Sequence, residues 1–189
     1  MQKVFYDMLE ANPVIAAVKD MEGLEQCCQT EEIKVVFILF GDICNIEAIV
    51  ERVKEADKTA MVHMDLVQGL SAKEIAVDFI RQHTKADGII STKPSMIKRA
   101  RELSLYTVMR FFLLESMALE NLERQMGVLR PDVIEILPGV MPKIIRQICG
   151  MVKVPVIAGG LITDKEDIMA VLSAGAMAVS SSNQGTWSM

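Results

Sequence analysis

The chain has 189 residues, of which 51% are hydrophobic and 24% charged, and a net charge of −5. That is enough to bury one core, and a single domain over residues 1–189 is expected, but no apolar run approaches the ~20 residues that cross a bilayer, and the start lacks the basic-then-apolar order of a secretory signal. A cytoplasmic protein without membrane association follows, and the acidic balance runs against the ordinary nucleic-acid binder.

In chain order, apolar runs fall at Val14–Val18, Val35–Phe40, Thr59–Leu66, Gly88–Thr92, Tyr106–Phe112, Val133–Leu137, Val154–Ala158 and Ala176–Ser180. Segments with helical spacing separate them, such as Ile46, Ile49, Val50 and Val53, or Ile75, Val77, Phe79 and Ile80. Asp20, Ser71 with Glu74, and Thr163-Asp164 stand where helices begin, and Pro131 and Pro155 mark stops ahead of the sixth and seventh strands. Near-continuous apolar strands alternating with amphipathic helices predict a parallel sheet covered by helices, and eight repeats favour a compact TIM-like (β/α)8 barrel over an open sheet. Only Gln184–Met189 follow the last strand, so its helix is expected to be missing or reduced.

Cys27, Cys28, Cys44 and Cys149 show no C-x-x-C spacing and the chain has two histidines, so reduced thiols are expected, with no metal and no cofactor. The seventh and eighth strands end in very small residues, Ala158-Gly-Gly160 and Ser180-Ser-Ser182. A phosphate needs close approach to several backbone N–H groups, and in barrels the loops after these two strands commonly supply them. Gly159, Gly160, Ser181 and Ser182 are therefore the candidate phosphate ligands. Polar groups at the C-terminal ends of earlier strands complete the candidate pocket: His63 and Asp65 sharing one strand face, Lys93, Arg110 and Glu135. A charge inside an apolar strand costs several kcal/mol unless paired or facing a polar cavity, so an internal Arg–carboxylate plug is the alternative reading of the last two.

The blocks His63-Met-Asp-Leu-Val-Gln-Gly-Leu70, Asp87-Gly-Ile-Ile-Ser-Thr92, Arg110-Phe111, Ile134-Glu-Ile-Leu-Pro-Gly139, Pro155-Val-Ile-Ala-Gly-Gly-Leu161 and Ala178-Val-Ser-Ser-Ser-Asn183 with Trp187 resemble, in this order, the glycerol uptake operon antiterminator regulatory family. The resemblance covers almost the whole chain and differs at Lys93-Pro94, where it leads one to expect arginine followed by a small residue. It implies a regulator and not an enzyme. Such a protein has a TIM-barrel-like fold, responds to glycerol 3-phosphate, and binds an mRNA leader to prevent premature termination of glycerol-utilisation genes. Gly159, Gly160, Ser181 and Ser182 would then hold phosphate, while His63, Asp65, Lys93, Arg110 and Glu135 line the glycerol end or pocket wall, the two carboxylates accepting from the diol.

Segment Ser181–Trp187 is expected to close over the phosphate. Local basic clusters, Lys98, Arg99 and Arg101 or Lys143 and Arg146, are the candidates for RNA contact, joined into a larger surface if the chain forms a homo-oligomer. Two other readings remain open from the residues alone. One is an isomerase, aldolase or synthase acting on a small phosphorylated metabolite, with Asp65 and Glu135 as acid and base or Lys93 as a Schiff-base amine. The other is a barrel kept as a structural partner.

Overall fold

The computed structural model describes residues 2–189, apart from the Gln2 side chain. Helix α1 (Gln2–Ala11) precedes seven strand–helix pairs: β1 (Val14–Val18) with α2 (Met21–Gln29), β2 (Val35–Ile38) with α3 (Ile46–Glu55), β3 (Thr59–His63) with α4 (Ile75–His83), β4 (Gly88–Ser91) with α5 (Pro94–Glu102), β5 (Tyr106–Phe112) with α6 (Ser116–Met126), β6 (Val133–Leu137) with α7 (Pro142–Met151), and β7 (Val156–Gly159) with α8 (Lys165–Ser173). Strand β8 (Ala178–Ser181) is followed by one turn of 3-10 helix, η1 (Gln184–Thr186), so the eighth helix is reduced as expected.

All neighbouring strands are parallel, and the sheet closes on itself in the order β1 through β8. The seam pairs Ile15 with Ser180 and Ala16 with Ser181. Alternation along each strand then sorts side chains into two cores. Ile15, Phe37, Met61, Ile90, Val108, Val133, Ile157 and Ala178 fill the barrel, while Val36, Val62, Ile89, Ile134, Ile136 and Val179 pack outward beneath the helices.

The interior fill continues into α1. Phe5 and Leu9 belong to the barrel-interior cluster and are fully buried, with Phe5 stacked on Tyr106 at the start of β5 (ring centroids 4.6 Å apart). The Tyr6 hydroxyl donates to the Asp132 carbonyl just ahead of β6 (2.7 Å). Helix α1 therefore stoppers the N-terminal end of the barrel and leaves the C-terminal end as its mouth. This helix went unpredicted, although Phe5, Met8 and Leu9 at helical spacing are its signal.

Several boundaries differ from the sequence expectation for local reasons. Strand β3 stops at His63 because the Leu66 N–H turns back onto the His63 carbonyl (3.0 Å), so Asp65 lies in the loop and does not share a strand face with His63. Pro155 has no N–H for the ladder, and β7 starts after it. Gly175 (φ +108) ends α8 and the Ala176 N–H still bonds back to Val171 (3.1 Å), which delays β8 to Ala178. The Ser71 capping box does not form, for α4 begins at Ile75 without a side-chain cap. Asp20 and Asp164 do cap, accepting from the N–H groups of Gly23 (2.8 Å) and Asp167 (2.9 Å).

Candidate binding site at the C-terminal mouth

Arg110 and Glu135 are register partners on adjacent strands, and both project into the barrel above the apolar fill. Arg110 Nε donates to Glu135 Oε2 and the Ser180 hydroxyl to Oε1, each at 2.5 Å. Glu135 has no solvent-exposed surface, so both of its oxygens are occupied by protein donors. An isolated buried carboxylate would be unsupportable; the guanidinium and hydroxyl supply the hydrogen bonds its lost water gave. Arg110 commits only Nε, which leaves its two amino groups without a partner among the described residues.

Gly159 is required by this packing. A Cβ there would stand 2.4 Å from the Ser180 hydroxyl oxygen and 2.5 Å from Glu135 Oε1. Gly160 follows at φ +76, a left-handed turn that L side chains rarely adopt.

Asp65 reaches across to the end of β4. It accepts from the Thr92 N–H (2.7 Å), the Thr92 hydroxyl (3.0 Å) and the Ser91 hydroxyl (3.2 Å), and pairs with Lys93 Nζ at 3.0 Å. Burial alone would raise its pKa, but the bonds from Thr92 and Lys93 outweigh that and hold it below the ordinary carboxylate value. The Lys93 side chain is partly exposed at the mouth while it holds Asp65.

His63 ends β3 with 3% exposure, and its Nδ1 is buried with no hydrogen-bond partner. Burial first, and the Arg110 charge second, push its pKa down to about 4. A neutral imidazole therefore stands beside the two cations. An orphaned polar atom in such a place marks a position that a ligand or water can satisfy.

The serines divide differently from expectation. Ser180, part of the small-residue tract but not among the candidate phosphate ligands, faces the barrel interior and bonds Glu135. Ser181 has the opposite parity, and its hydroxyl donates to the Ile162 carbonyl (2.9 Å) while accepting from the Asn183 N–H (3.1 Å). Ser182 follows the end of β8 and is exposed. Segment Ser181–Trp187 is a clamped turn, not an open flap. Trp187 is 2% exposed, its indole N–H donates to the Ser181 carbonyl (2.9 Å), and its ring lies near Gly23 of α2. The expectation of Trp187 as a lid gives way to Trp187 as an anchor, because its apolar surface is already buried beneath the helices.

Arg110, Lys93 and His63 thus stand at the C-terminal end of a closed parallel (β/α)8 barrel, the end at which proteins of this fold class carry their sites. The chain belongs to the glycerol-3-phosphate responsive antiterminator family, whose model matches residues 14–187. It is 42% identical over 182 residues to the uncharacterized protein YgcP of Escherichia coli K12, covering 96% of this chain and 95% of that one. A crystal structure of a glycerol uptake operon antiterminator regulatory protein from Listeria monocytogenes superposes with a TM-score of 0.89 at 30% identity, over 92% of this chain and 94% of that one. A glycerol uptake operon antiterminator-related protein from Thermotoga maritima gives 0.83 at 36% identity, over 94% and 99%.

Proposed function

We propose that this chain is a cytoplasmic, non-enzymatic regulator that binds glycerol 3-phosphate at the barrel mouth and an mRNA leader elsewhere, preventing transcription termination of glycerol-utilisation genes. Family membership across residues 14–187 carries this reading. The phosphate lies over the backbone of Gly159 and Gly160 and the turn at Ser181-Ser182, drawn by the free amino groups of Arg110 and by Lys93. The neutral His63 imidazole belongs to the pocket wall beneath the glycerol end. Glu135 and Asp65 act differently from the diol acceptors they resemble in sequence: Glu135 orients Arg110, and Asp65 steadies Lys93 and the end of β4.

The two carboxylates spend their acceptor capacity on protein donors, which also weighs against their use as a general acid and base. A regulator needs a ligand that prefers one state of the protein, and its affinity must appear as added stability. Glycerol 3-phosphate at about 100 times its Kd is expected to add about 2.7 kcal/mol to unfolding stability. A thermal-shift series against phosphorylated three- to five-carbon compounds tests this. The Lys93→Gln variant should stay folded, since Asp65 keeps its bonds from Thr92 and Ser91, yet lose most of the ligand-induced shift relative to its own unliganded melting point. Equal stabilisation by ketose or aldose phosphates, with turnover, would support an enzyme instead.

A further inference from the structure

A second feature lies at the opposite end of the barrel. The segments that enter β5, β6 and β7 enclose an open groove of about 760 Å³ between the C-terminal ends of α5, α6 and α7. Arg101 comes from α5, Arg130 from the loop before β6 and Lys153 from the loop before β7, and all three line it. Each is exposed, and none makes a hydrogen bond or ion pair among the described residues. Glu123 is the one acidic side chain in the lining, so an acidic protein presents a locally positive channel here. Met126, Leu129 and Val152 are among the apolar residues that line it beside these charges.

The other basic clusters compare poorly. Arg99 is committed to Asp78 (3.0 and 2.5 Å) and to Glu102 (2.9 Å), so of the Lys98, Arg99 and Arg101 cluster only Arg101 reaches the groove. Lys143 and Arg146 lie exposed on a single helix with no concave wall beside them in this groove.

Resting on the antiterminator reading above, we propose that this groove is the RNA-binding surface, holding a single-stranded segment of the leader. Three cations from three segments match a flexible phosphate backbone, two guanidinium planes offer stacking surfaces, and the apolar side chains of Met126, Leu129 and Val152 in the lining accept unstacked bases. The location also suits a sensor. The strands that begin at the groove, β5, β6 and β7, are those that carry Arg110, Glu135 and Gly159 at the mouth, so ligand and RNA grip opposite ends of the same three strands.

RNA enriched from a randomised single-stranded pool on the unsubstituted chain, with glycerol 3-phosphate present, provides the probe. The triple variant R101Q/R130Q/K153Q should bind it at least roughly tenfold more weakly, and the slope of log affinity against log salt should fall by about 2, the loss of three single-strand phosphate contacts. Its melting temperature and its response to glycerol 3-phosphate should stay as in the parent, which separates surface loss from misfolding. The control K143Q/R146Q should bind as the parent does. Photo-crosslinking of thiouridine-substituted RNA to the unsubstituted chain should label peptides within residues 126–131 or 151–154. Unchanged affinity of the groove variant, an equal loss in the control, or crosslinks confined to the mouth would each overturn the assignment while leaving RNA binding intact. Failure to enrich any RNA would overturn the RNA partner as well, with the thermal shift still judging the ligand.

Discussion

At the scale of single residues, His63 carries the clearest pH signature. Its pKa falls from 6.5 to about 4 on folding, with burial the main cause and the Arg110 charge the next. The unfolded chain therefore binds more protons between those values, and stability rises with pH across that window. The contribution is complete above about pH 6.5 and is lost as pH falls to about 4, at most about 3 kcal/mol in all. Urea melts at a series of pH values should show this slope, and His63→Gln should flatten it. Asp65, held below its ordinary value, loses its contribution only at lower pH, so the two effects separate. Glu135→Ala should cost about 3–5 kcal/mol, because it strands a buried guanidinium; replacing both partners by apolar residues should cost less, and a double-mutant cycle by chemical denaturation measures the difference.

Residue identity made much of this site legible. Arg110 and Glu135 inside apolar strands had to be paired or face a polar cavity, and they are paired. Which serine joins them depends on which residues of β8 face the barrel interior, and Ser180 shares that face with Ala178. A shift of parity there exchanges Ser180 for Ser181, and no pattern within the tract Ser180-Ser-Ser182 distinguishes them. Asp65 was displaced from its strand by a turn that one hydrogen bond closes, a local event that apolar periodicity does not register.

At the scale of elements, the strands and most helices could be read because alternation and helical spacing persist over whole segments. Helix α1 carries the helical spacing of Phe5, Met8 and Leu9, but its place follows from the barrel interior it fills, a tertiary demand that local pattern does not announce. It is nonetheless a large part of that interior. Phe5→Ala should cost about 3–5 kcal/mol by removing a fully buried ring that stacks on Tyr106 and leaving a cavity at the barrel base. Because the mouth lies at the other end, the variant should keep its affinity for glycerol 3-phosphate, measured by calorimetry below its lowered melting point.

At the scale of the whole molecule, stability depends on closure. The first and last strands meet at a seam where the Val179 N–H donates to the Pro13 carbonyl (2.7 Å) and three residue pairs align. Deleting residues 178–189 would leave β1 and β7 with open edges and remove Trp187 from the helix layer. Such a chain should lose cooperative unfolding and associate, as light scattering and denaturant titration would show.

The seam also sets a schedule for synthesis. At ribosomal speeds of about 5–20 residues per second, β1 waits roughly ten seconds or longer for its partner β8 to be made. Until then the strands already made can pair only as an open sheet, with β1 at one of its two free edges. An edge of this kind is a pairing site for other chains until β8 covers it.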